Sequence, residues 1–115
     1  MKKIYCFDID NVICSTPKSK NCSLCKPNKK VIDFINYLFN KGHTIKIFTA
    51  RYMGRNKENI SRAKKQGYKF TQNQLKLWNL KYHKLIMGKP SYDLFVDDKA
   101  LGFTKDWISQ AKKWK

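Results

Sequence analysis

Acidic residues are scarce. The chain carries eight Asp and Glu against 25 Lys and Arg, a formal charge of +17 over 115 residues. Arginine is scarce too: Arg51, Arg55 and Arg62 are the full set, and every other basic residue is Lys. No apolar run approaches the ~20 residues of a membrane-spanning helix, so an integral membrane reading fails. The opening MKKIYCF has the basic start of a secretion signal, but Asp8 and Asp10 interrupt the apolar part too soon for one. A cytoplasmic, soluble chain is the expectation. There are no repeats, no low-complexity segment and no evident linker, and the length suits one domain, residues 1–115.

The positive charge invites nucleic acid as a partner. The lysines, however, are spread along the whole chain in blocks no longer than two, and bidentate phosphate or base recognition favours Arg. The charge is therefore read first as a field that steers a phosphorylated substrate, with nucleic acid as the lesser reading.

Because acids are few, their placement is informative. Asp8 and Asp10 form one tight pair and Asp97 and Asp98 another. Burying a carboxylate costs several kcal/mol unless a cation or hydrogen bonds offset it. Either pair alone reads equally well as a solvated turn.

Periodicity frames these residues. Residues 3–9 are apolar and β-prone, and residues 15–28 read as a loop. Residues 29–41 carry Val31, Ile32, Phe34, Ile35, Leu38 and Phe39 at helical spacing before Gly42. Residues 43–48 alternate as a strand. Residues 56–66 suggest a surface helix from Asn56 to a stop at Gly67, and Thr71 with Gln74 suggests a capping box opening a second helix through Leu80. Residues 83–87 and 93–97 suggest two more strands. Thr104 then caps a last helix with Trp107, Ile108, Ala111 and Trp114 on one face. The order β, α, β, α, β, β, α predicts an α/β fold: a Rossmann-like, open, mainly parallel sheet flanked by helices on both faces.

Ligands of such sheets bind beyond the carboxyl ends of the strands. Asp8 and Asp10, Thr49, Lys89, and Asp97 with Asp98 each follow a predicted strand, so all converge on one rim. Clustered carboxylates suit a hard cation such as Mg²⁺. A hydroxyl and an ammonium suit phosphate oxygens.

The set DxD, hhhT, Lys and hhhDD, in that order over nearly the whole chain, resembles the motifs of haloacid dehalogenase-like (HAD) hydrolases. The stretches FTARYMG and KYHKLIMGKPSYDLFVDDKA are similar to the small phosphatases encoded with bacterial capsular-polysaccharide genes. The resemblance implies Asp8 as nucleophile and Asp10 as general acid and base. It implies Thr49 and Lys89 as phosphate-binding residues. Mg²⁺ would be held by Asp8, the Asp10 carbonyl and Asp98, with Asp97 either a further ligand or a partner of Lys89. Asn11 stands where the family usually has Gly, and Val12 where it has Thr. Asn11 and Arg51 are read as substrate contacts, Arg51 equally as a plain surface residue. The short spacings leave no room for a cap domain. Either an open site admits large substrates or a neighbouring subunit of a homo-oligomer supplies the lid.

The expected activity is a Mg²⁺-dependent phosphomonoesterase acting on a phosphorylated sugar or related metabolite. The alternatives are a polynucleotide 3′-phosphatase and a non-catalytic basic binding module. Cys14, Cys22 and Cys25 surround the loop, and CSLC has the spacing of half a zinc knuckle without a second half, so reduced loop thiols are the first reading and zinc the second. His43, His83, Tyr92 and Asp93 are given structural roles.

Overall fold

A computed structural model describes residues 2–113. Three parallel strands form the sheet in the order β1–β4–β5: β1 Ile4–Phe7, β4 Thr44–Thr49 and β5 Lys84–Met87. Ile4 to Phe7 pair with Thr44 to Ile47, and Lys46 to Thr49 pair with Lys84 to Met87. The central strand β4 thus holds both neighbours. Between β1 and β4 lie a short antiparallel ribbon, β2 Cys14–Ser15 with β3 Lys26–Pro27, and helix α1 Lys29–Asn40. Asn28 caps α1, its side chain accepting the Val31 N–H. Helix α2, Ile60–Leu77, connects β4 to β5, and α3 spans Trp107–Lys113.

The helices cover one face of the sheet. Ile45, Ile47 and Thr49 alternate with the half-exposed Thr44, Lys46 and Phe48 along β4. The buried set meets Ile35 of α1, Leu75 of α2 and Trp107 of α3 in one core. The Trp107 ring lies 6.1 Å from that of Phe7 and 6.0 Å from that of Phe34. The expectation of helices on both faces is therefore corrected. Two crossovers that step the same way along a sheet, β1 to β4 and β4 to β5, place both helices on the same side under the right-handed rule. Cys6 and Lys84 stay exposed on the other face.

Two further expectations give way. Residues 56–66 and 71–80 are not separate helices. Asn59 is the cap, its side chain accepting the Arg62 N–H, and α2 runs on through Gly67 and Thr71. Gly67 is there for packing, because a Cβ at that position would overlap the Tyr52 ring. Residues 93–97 form no strand: Leu94 and Val96 are 81% and 86% exposed, and β1 keeps a free edge. Trp114, assigned above to the last helix, lies outside the described residues.

Among the described residues no cap domain interrupts the fold, and no helix is long and apolar enough to cross a membrane.

Candidate active site

The chain leaves β1 at Phe7 and turns at once. Ile9 accepts the N–H groups of Val12 and Ile13, and Asn11 takes the left-handed conformation at φ 64°. Asn tolerates this region better than most residues with a side chain. Ile9 and Ile13 anchor the turn in the core, both fully buried. Asp8 and Asp10 are thereby held at the carboxyl end of the sheet, and Asn11 Oδ1 accepts the Thr16 N–H rather than standing open.

Gly88 follows β5 at φ 98°, a conformation that glycine adopts without strain, with no room for a Cβ beside Ile60. The turn brings the Lys89 N–H to the Thr49 carbonyl at 3.1 Å and Lys89 Nζ to Asp8 Oδ2 at 3.0 Å. Glu58 steadies this loop by accepting the Ser91 N–H and hydroxyl. Tyr92 and Phe95 pack edge to face beside Lys89, their ring centres 5.3 and 5.6 Å from Nζ. Burial alone would lower the Lys89 pKa, but Tyr92 and the Asp8 carboxylate outweigh it and the value is raised.

Asp10 faces a different partner. Arg51 Nε lies 3.0 Å from its Oδ2, and Nη2 lies 3.0 Å from its Oδ1. Arg51 is not a surface residue, since its side chain is 1% exposed. Its Nη1 donates to Gln74 Oε1 at 2.7 Å, and Gln74 Nε2 donates to the Cys22 carbonyl at 2.7 Å. Helix α2 and the cysteine loop thus brace the arginine that grips Asp10. Burial would raise the Asp10 pKa. The Arg51 guanidinium more than offsets it, with the Thr16 and Cys25 hydrogen bonds adding to the effect, and holds the carboxyl below its usual value.

Thr49 is fully buried at the end of β4, where its hydroxyl oxygen accepts the Arg51 N–H at 3.0 Å. That bond uses the oxygen as acceptor and leaves the hydroxyl proton to donate. Asp97 and Asp98 lie on the exposed stretch after Asp93, where Asp97 Oδ1 accepts the Lys99 N–H. Among the described residues their carboxylates do not gather with those of Asp8 and Asp10 into a metal-sized group. The group that does form is Asp10, Cys14 and Cys25.

Sequence reasoning missed Gln74, Thr16 and the aromatic pair beside Lys89. Gln74 had a signal, a polar side chain beside Leu75 on the buried face of α2; Thr16 had none. His43 and His83 accept the backbone N–H groups of Lys3 and Ile45 at strand starts, which are structural duties.

No protein-family model matches this chain, and no curated protein does. A solved structure does: the crystal structure of an MCSG target from Vibrio cholerae superposes with a TM-score of 0.75 at 23% identity, over 96% of this chain and 95% of that one, a likeness of fold.

Proposed function

We propose that this chain is a Mg²⁺-dependent phosphomonoesterase of the HAD type, working through an aspartyl-phosphate on Asp8, with a phosphorylated sugar or related metabolite as substrate. The observation that carries the reading is the Asp8–Lys89 ion pair, 3.0 Å between residues 81 positions apart at the carboxyl end of a parallel sheet. A structural ion pair needs no such location, whereas a phosphoryl-transfer site needs an ionised nucleophile beside a cation there.

Asp8 fits a hard cation. Its Oδ1 accepts the Ile9 N–H and its Oδ2 the Lys89 ammonium, which leaves lone pairs on both oxygens. Asp8 and the Asp10 carbonyl would hold Mg²⁺; Asp98, with Asp97 as a further candidate, would complete the set only by leaving the exposed stretch on which it lies here. The ion would neutralise charge on the phosphoryl oxygens. Lys89 pairs with Asp8 and orients it to attack phosphorus. The Thr49 hydroxyl and the Lys89 ammonium donate to the transferring oxygens. Asp10 gives a proton to the leaving oxygen and then takes one from water. Arg51 favours the ionised form of Asp10, which suits the second of these steps. The positive field of the chain draws anionic substrates to the rim.

The test is turnover of an aryl phosphate with and without Mg²⁺, on the parent and on Asp8→Asn, followed by sugar phosphates and 3′-phosphorylated DNA. Metal-dependent turnover lost in Asp8→Asn is expected. Turnover that survives the substitution, or none with any of these substrates in a folded, Mg²⁺-supplied protein, overturns the reading.

A further inference from the structure

Cys22 and Cys25 have the spacing of a metal-binding pair, but the donor group that forms takes Cys25 without Cys22. Cys22 Sγ turns to the Lys20 carbonyl at 3.8 Å. Cys25 instead meets Cys14, because the β2–β3 ribbon returns the chain beside the turn that follows Asp10. Both thiols are buried, and neither is in a disulfide.

Their donor atoms surround a common point. Asp10 Oδ1 lies 3.8 Å from Cys14 Sγ and 3.6 Å from Cys25 Sγ. Thr16 Oγ1 lies 2.8 Å from that oxygen and 3.6 and 3.4 Å from the two sulfurs. Tetrahedral zinc has bonds of roughly 2.3 Å to sulfur and 2.0 Å to oxygen, which makes its sulfur-to-oxygen edges about 3.5 Å. The geometry points to a Zn²⁺ site made of Asp10 Oδ1, Cys14 Sγ and Cys25 Sγ, with Thr16 Oγ1 at the fourth corner.

Charge supports the same assignment. Two thiolates and a carboxylate around Zn²⁺ sum to one negative charge. Arg51 balances it, with Nε 3.0 Å from Asp10 Oδ2, and Nη2 3.0 Å from the ligating Oδ1 and 3.7 Å from Cys25 Sγ. A cation contacting the ligands from outside is the usual kind of partner that orients a metal-bound carboxylate. Without metal, Asp10 is already balanced by Arg51. Binding releases the thiol protons to the buffer, and no group is oxidised or reduced. Soft sulfur donors would select zinc over a hard cation such as magnesium. The site shares Asp10 with the proposed phosphatase, so zinc bound there would occupy the carboxylate that the phosphatase reading uses as acid and base; the two are told apart because the zinc site is read by spectroscopy on the unreacted chain and the phosphatase by turnover.

The test uses the full chain, reduced and freed of metal, titrated with Co²⁺ and then Zn²⁺. Thiolate-to-cobalt charge-transfer absorption that one equivalent of Zn²⁺ abolishes is expected. Cys14→Ser and Cys25→Ser each weaken Zn²⁺ by ~100-fold or more, the upper end of what loss of an outer partner costs. Cys6→Ser, on the exposed face of β1, leaves binding unchanged. Cobalt bound without charge transfer, or Zn²⁺ affinity undiminished in Cys14→Ser and Cys25→Ser, overturns the site. Loss in Cys22→Ser as complete as in Cys14→Ser overturns it too. If the serine variants fail to fold, X-ray absorption on the zinc-loaded parent decides: mixed sulfur and oxygen neighbours are expected, and an all-oxygen or all-sulfur shell refutes it.

Discussion

Arg51 grips both carboxylate oxygens of Asp10, at 3.0 Å from Nη2 to Oδ1 and 3.0 Å from Nε to Oδ2. The arginine side chain is 1% exposed and the aspartate 26%. Removing the cation strands a half-buried anion. Arg51→Met is expected to cost about 3 kcal/mol, the low end for a broken buried pair because Asp10 still reaches water. Adding Asp10→Asn in the Arg51→Met background should cost far less than Asp10→Asn alone. Urea unfolding of the cycle measures it; strictly additive effects would refute the coupling.

The same pair sets an acid limit on stability. The folded Asp10 pKa lies below its ordinary value of 3.8. Its contribution is therefore complete above that value and is lost as pH falls through the lower, folded-state pKa. Between about pH 4 and pH 2 the urea midpoint of the parent should fall more steeply than that of Asp10→Asn. Parallel curves would show that Asp10 plays no part.

A further consequence concerns the leaving group, and rests on the phosphatase reading. An Asp10 held ionised at neutral pH is a poor proton donor. Alkyl phosphates, whose leaving alkoxide requires a proton, should turn over faster as the pH is lowered toward the Asp10 pKa. Aryl phosphates should respond less. Arg51→Gln should move the alkyl profile to higher pH. Identical profiles for both substrate types would sink this account.

Thr71 has a fully buried hydroxyl with no hydrogen-bond partner among the described residues, inside a helix rather than at its start. Thr71→Val keeps the shape and removes the desolvated hydroxyl. The expected gain is about 1 kcal/mol, read as a rise in the urea midpoint. A loss of stability would point to a buried water bonded to Thr71.

Gly67 lies in mid-helix, where Ala is ordinarily better by about 1 kcal/mol. Here the added methyl meets the Tyr52 ring, itself held at φ 68° with the Arg55 guanidinium 4.5 Å from its centre. Gly67→Ala should destabilise by ~1–3 kcal/mol, the cost of an overpacked contact. Thermal unfolding would show the sign directly.

The legible parts of the fold were those with strong periodicity and a clean stop. Helix α1, β4 and β5 have both, and β1 has an apolar run ended by charge. Helix α2 was misread because Asn56, Gly67 and Thr71 are locally good boundary residues. Tertiary packing overrode them: the Tyr52 ring needs the glycine, and the core takes the threonine. Residues 93–97 have strand composition, but β-propensity only records a fit to a half-buried surface, and these side chains remain in solvent. Arg51 was visible as a residue near the rim. Its partner was not, because Asp10 is 41 positions away and no local pattern encodes the pairing. The Cys14–Cys25 approach was hidden likewise by a ribbon of two residues per strand.

The bond between Asp8 and Lys89 joins one end of the described chain to a turn that follows the last strand. Parallel strands have no hairpin to zip from, so β1 waits for β4, and β4 for β5, before either pairing can form. Such long-range closures are entropically costly and come late in folding. During synthesis, a ribosome that has released Asp8 but not yet Lys89 holds a chain whose key carboxylate lacks its counter-ion. The rim is then assembled only by the complete sheet, and the Asp8–Lys89 contact becomes a report on the final folding event.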